Sequence, residues 1–249
     1  MTSFILIHGA SHGGWCWDKV VPLLEGLGHT AIAPDLPGHG QDATPAAEVM
    51  LESYVDRVCR LLDEQPEPVV LVGHSMGGIS ISQAAEYRPG KIRTLVYLTA
   101  LLLENGDAFI PVPSIETETA EPEPEAVRAA LEERPFWTVS SDLAACTYKD
   151  ELVQELFYND CSPQDVAWAK SQVVPQPVGP LLGRLAITDE NFGRVPRVYI
   201  ECLEDQALRP EHQKRLYTRL PCSQVLSLNT GHSPFLSAPE ELVRLLVSI

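Results

Sequence analysis

The 249-residue chain is predicted to fold as an α/β protein: a mostly parallel six-stranded sheet flanked by helices, with a helical insertion after the fourth strand. Three observations carry this prediction. Six short aliphatic runs recur along the chain, helix-period segments separate most of them, and that rhythm stops once, between Glu104 and Asn191. Runs that are apolar throughout, rather than alternating, mark parallel strands covered on both faces. Strand–helix alternation winds such strands into one sheet through right-handed crossovers.

In chain order, residues 3–8 form the first strand, 17–26 a helix and 30–34 the second strand. Residues 51–63 set Leu51, Val55, Val58 and Leu62 on one helical face, and Pro66 ends that helix. The third strand (69–72), a helix (76–87) and the fourth strand (92–98) follow. From 104 to 191 no strand is expected. The opening of this region, PVPSIETETAEPEPEA, carries five glutamates and four prolines and is read as a solvated connector. Its later part, DELVQELFYNDCSPQDVAWAKS, is read as helices bearing Leu152, Leu156, Phe157, Val166 and Trp168. An insertion with helices of its own is expected to be a lid. Strands at 197–202 and 224–228 and helices at 210–219 and 239–247 complete the chain; both helices carry Pro in the first turn. The organisation is therefore a core of 1–104 and 191–249 around a cap of 105–190.

Thirty-four acidic against eighteen basic residues give a formal net charge of −16. That balance argues against nucleic acid as a partner and against anionic membrane surfaces; a neutral or apolar small molecule fits it best. No basic leader precedes the first strand and no apolar stretch reaches the length of a membrane span, so a cytoplasmic location is expected. The six cysteines form no Cys-x-x-Cys pair and are read as reduced structural thiols. His8 and His12 are four apart, but Gly9, Gly13 and Gly14 oppose a helix that would gather them round zinc. No metal site is expected. A homodimer is the one macromolecular assembly left open.

The chemistry begins at Val69–Ala85, VVLVGHSMGGISISQAA, where Gly73-His74-Ser75-Met76-Gly77 sits between a buried strand and a helix. A tight strand-to-helix turn exposes the serine between glycines that remove flanking side chains, and the helix start aims N–H groups at the site. Ser75 is therefore the candidate nucleophile. Its base should be a histidine on the loop after the last strand, and among seven histidines His232 fits. His29, His39 and His212 fall where surface turns or helix faces are expected; His8, His12 and His74 are read as pocket lining. The acid should follow the strand 197–202. Asp205 heads that loop, with Glu204 and Asp107 as alternatives. Oxyanion donors are expected from the Met76 N–H and, in the loop HGASHGGWCW, from Ala10.

These segments resemble the α/β-hydrolase branch that holds plant methylesterases, hydroxynitrile lyases and bacterial esterases. The resemblance rests on HGASHGGWCWDKVVPLLEGLGHTAIAPDLPGHG, VGHSMGG, CSPQDVAWAKSQVVPQP, RVYIECLEDQALRPEHQ and GHSPFLSAPEEL, which cover nearly the whole chain. It implies the α/β-hydrolase fold with a helical cap, no metal or cofactor, a triad of Ser75, Asp205 and His232, and an oxyanion hole at Ala10 and Met76. The cyanohydrin lyases of this branch place a lysine after the catalytic histidine, where this chain has Ser233. They also have other residues at the positions of Gly9, His74 and Met76. The resemblance therefore implies a serine esterase acting on small carboxylic esters, with cyanohydrin cleavage and non-hydrolytic small-molecule binding as the alternatives. The pocket is expected to draw on Gly9, His12, His74, Trp137, Phe157, Trp168 and Ser233, with Gly9 leaving room for water and ester.

Overall fold

The computed structural model describes residues 1–112 and 122–249; residues 113–121 of the acidic connector lie outside the described residues. The chain begins β1 (Ser3–Ile7), α1 (Val20–Gly26), β2 (Thr30–Ile32), α2 (Leu51–Glu64), β3 (Val69–His74), α3 (Gly77–Tyr87) and β4 (Ile92–Leu98). The cap contributes α4 (Pro124–Glu132), β5 (Trp137–Val139), β6 (Ala145–Tyr148), α5 (Asp150–Phe157), α6 (Pro163–Gln172), β7 (Gln176–Pro177) and α7 (Gly179–Leu182). The core resumes with β8 (Arg197–Cys202), α8 (Pro210–Arg219), β9 (Gln224–Leu228), α9 (Pro234–Ser237) and α10 (Pro239–Ser248).

Six strands form one parallel sheet in the order β2-β1-β3-β4-β8-β9. All six residues of β3 are buried, as are the last five of β4. The helices divide the core into two apolar layers. One packs Val55, Val58 and Leu62 of α2 against Ile5, Leu71 and Leu95 of the sheet. The other packs Leu24 of α1 and Leu242 and Leu246 of α10 beneath Phe4, Val70 and Val96. Alternate residues of the inner strands thus face opposite layers, which is why Phe4–Ile7 and Val69–Val72 read as continuous apolar runs.

Two expectations change. The segment predicted as one helix from residue 17 to 26 is a 3₁₀ turn at Gly14–Trp17 followed by α1. The cap, expected to lack strands, holds a three-stranded antiparallel sheet, β5-β6-β7. These strands have two to four residues, too few for alternation to show in the sequence. Pro177 is tolerated in β7 because that strand lies at an edge. No helix among the described residues is long and apolar enough to cross a membrane.

Candidate active site

In a parallel sheet the loops at the carboxyl ends of the strands cluster at one edge, where ligands bind. The segments following β1, β3, β8 and β9 meet there. β3 lies between β1 and β4, and its last residue is followed at once by Ser75, with φ of +53°. A non-glycine residue in that region is uncommon and signals a constrained turn. The turn is held from both sides: Ser75 N–H donates to the Leu98 carbonyl at 3.3 Å, and the Leu101 N–H donates to the Ser75 carbonyl at 2.9 Å. Gly73 and Gly77 are needed for close approach. A Cβ on Gly73 would stand 2.9 Å from the Gly77 backbone, and one on Gly77 would stand 2.7 Å from the His8 carbonyl oxygen.

Ser75, Ala10, Met76 and His232 line one cavity of about 70 Å³. The Met76 N–H belongs to the start of α3, among amides that have no intrahelical acceptor. His232 Nδ1 lies 2.7 Å from Asp205 Oδ2, and both side chains are buried. The Asp205 carboxylate is saturated. Oδ1 accepts the N–H groups of Ala207 and Leu208 at 2.7 and 2.8 Å, and Oδ2 also accepts the Thr99 hydroxyl at 2.5 Å. The other acids face elsewhere. Glu204 is exposed, Glu201 receives the hydroxyls of Tyr217 and Ser227, and Asp107 receives the Glu104 N–H of its own turn.

Four further histidines are buried around this centre, and burial lowers the pKa of each. His8 Nδ1 faces the Gly9 carbonyl at 2.9 Å while its Nε2 accepts the Leu36 N–H at 3.1 Å. His12 Nδ1 faces the Ala10 carbonyl at 2.8 Å and its Nε2 faces the Tyr158 hydroxyl at 2.9 Å. His74 Nε2 faces the carbonyl of His232 at 2.9 Å, leaving Nδ1 buried with no partner among the described residues. Carbonyls accept, so the ring nitrogens facing them carry the protons. Burial lowers the pKa of His12 to about 4 and moves His8 and His74 well below the ordinary value. His39, expected at a surface turn, is also buried; its Nε2 faces Gln176 Oε1 at 3.1 Å across the interface with the cap.

Of the seven residues expected to form the pocket, Phe157 alone among the described residues lines this cavity. The others stand behind its wall for identifiable reasons. A Cβ on Gly9 would lie 2.7 Å from Ser75 Cβ, so the space beside Gly9 is taken by the serine and not by substrate. His12 and His74 are held by the backbone of Ala10 and His232. Ser233 is fully buried. Trp137 packs edge-on against Phe136 and Phe109 and supports them from outside. Trp168 is 37% exposed and rests on Trp15. The wall is made instead by Leu101, Phe109, Phe136, Tyr148, Leu156 and Leu208. Thr99, which fixes Asp205, was also missed; its place directly after β4 and beside the acid loop was the available signal.

A family model described as alpha/beta hydrolase family matches residues 4–245. The chain belongs to the alpha/beta hydrolase family. It is 34% identical to putative methylesterase 11, chloroplastic, of Arabidopsis thaliana over 99% of this chain and 63% of that protein. It is 32% identical to methylesterase 7 of the same plant, covering 99% of this chain and 95% of that one. It thus spans less than two thirds of the first of these relatives and nearly all of the second. Among solved structures, a pyrethroid hydrolase from Sphingobium faniae JZ-2 matches with a TM-score of 0.82 and 32% identity, over 99% of this chain and 96% of that one.

Proposed function

We propose that this chain is a serine esterase that hydrolyses small carboxylic esters, methyl esters included, through an acyl-enzyme on Ser75. Ser75 Oγ attacks the ester carbonyl as His232 takes its proton. Asp205 accepts a hydrogen bond from His232 Nδ1–H, which fixes the tautomer that leaves Nε2 basic and stabilises the imidazolium. The N–H groups of Ala10 and Met76 hold the oxyanion. His232 then protonates the departing alcohol. A water gives its proton to His232 and attacks the acyl carbon, and the acid leaves as Ser75 regains its hydrogen.

The observation that carries the reading is the histidine hydrogen-bonded to a buried carboxylate. Several buried rings cluster here and are held neutral, while His232 has a carboxylate at 2.7 Å and shares a cavity with Ser75. That cavity, at about 70 Å³, is far below the roughly 300–1,000 Å³ of pockets that enclose drug-sized ligands. It suits a short acyl group, with a larger alcohol extending outward. Cyanohydrin cleavage is disfavoured because Ser233, after the base, is uncharged, buried and away from the cavity wall. The test is turnover of p-nitrophenyl acetate and butyrate, with mandelonitrile alongside. Ester turnover that disappears in Ser75→Ala is expected, with no cyanide release; equal ester turnover by the variant overturns the reading.

A further inference from the structure

Between α5 and α6 the cap exposes three consecutive residues to the catalytic loops, and each reaches a different one. Tyr158, fully buried, gives its hydroxyl hydrogen to His12 Nε2 at 2.9 Å, and His12 Nδ1–H in turn donates to the Ala10 carbonyl at 2.8 Å. Asn159 Nδ2 donates to the carbonyl of Glu204, the residue before Asp205, at 3.0 Å. Asp160 Oδ2 accepts the N–H of Gly231, the residue before His232, at 2.8 Å. The last contact needs a bare Cα: a Cβ on Gly231 would lie 2.1 Å from Asn159 Oδ1 and 2.6 Å from Asp160 Oδ1. The acid and base loops are themselves joined, with the Glu204 N–H on the Thr230 carbonyl at 2.9 Å. The tripeptide closes over that junction from the cap side.

We propose that Tyr158, Asn159 and Asp160 are positioning residues through which the seated cap sets the oxyanion, acid and base loops in register, with Asp160 holding the base. This rests on the esterase reading for its kinetic consequence but not for its structural one. None of the three reaches the reacting atoms directly. A carboxylate–amide hydrogen bond is among the stronger kinds. It acts one residue from His232, where displacements of about 1 Å cost on the order of 100-fold in rate. A cap that lifts takes all three bonds with it, so the centre is competent only beneath a seated cap.

Asp160→Ala, Asp160→Asn and Gly231→Ala in the full chain test this. Asp160→Ala is expected to lower kcat by about 10- to 100-fold with KM unchanged. Asp160→Asn, which keeps an oxygen for the Gly231 N–H, is expected to retain most of kcat. Gly231→Ala keeps the Asp160 side chain but pushes it and Asn159 away with a Cβ, and is expected to reproduce Asp160→Ala, so the test does not hang on one variant folding. A second readout is independent of substrate: the low-field proton NMR signal of the His232–Asp205 hydrogen bond should broaden into solvent exchange in Asp160→Ala and persist in Asp160→Asn. Wild type that turns over no ester defeats the esterase reading, and the NMR signal still tests the clamp. A folded Asp160→Ala with wild-type kcat, or with the proton signal intact, overturns the proposal.

Discussion

Lowering the pH from 7 to 5 puts protons on the unfolded chain that the folded chain has no place to hold. His8, His12 and His74 are buried and neutral, and each has a reason to refuse a second proton. His8 Nε2 already accepts the Leu36 N–H, His12 Nε2 faces the Tyr158 hydroxyl, and a proton on His74 Nδ1 would be buried without an acceptor. Their folded pKa values lie below the ordinary 6.5, at about 4 for His12. Below pH 6.5 the unfolded state therefore binds more protons, and stability falls as the pH falls. For His12 the loss approaches about 1.4 kcal/mol per pH unit, or about 2 kcal/mol by pH 5. His8 and His74 add to this loss in the same direction, against about 5–15 kcal/mol for a whole domain. Urea unfolding followed by tryptophan fluorescence at pH 7, 6 and 5 measures this directly. His12→Gln removes one titrating ring, so its stability between pH 7 and 5 should fall by about 2 kcal/mol less than the wild type's, whatever its stability at pH 7. Equal unfolding free energies at pH 7 and 5, or an unchanged slope in His12→Gln, would refute the neutral-histidine argument.

Two further outcomes follow from the acid's surroundings. Asp205→Asn should lower kcat on the order of 10⁴-fold with little change in fold, because an amide there favours the wrong His232 tautomer; steady-state kinetics beside a circular dichroism spectrum checks it. Thr99→Val removes the hydroxyl on Asp205 Oδ2 while keeping shape. It should cost about 1.5–3 kcal/mol of stability, read by urea unfolding at pH 8, while the remaining N–H donors preserve part of the activity.

The sheet was legible because its inner strands are buried on both faces, so the sequence shows nearly uninterrupted aliphatic runs such as Val69–Val72. The strand-to-helix turn at Ser75 was legible because its geometry excludes side chains at Gly73 and Gly77, and a glycine at a fixed spacing is visible in one dimension. Asp205 and His232 could be placed because loop order follows strand order. The cap sheet was not legible: WTV and ACTY are too short to display a period, and they pair through contacts far apart in the chain. The pocket wall was hidden for a related reason. Phe109, Phe136 and Tyr148 face the cavity while Trp137 backs it, and nothing local to an aromatic residue says which side of a wall it occupies. Gly9 was misread for want of one distance, since its empty side is filled by Ser75 Cβ.

The central claim is that Ser75 carries the acyl group, and rapid mixing with p-nitrophenyl acetate followed by intact-mass and peptide analysis tests it most directly. A burst of nitrophenol equal to the enzyme concentration is predicted, with one acetyl group on the peptide containing Ser75 and neither signal in Ser75→Ala. Ester turnover with no adduct on that peptide, or an unchanged burst in Ser75→Ala, would contradict the account.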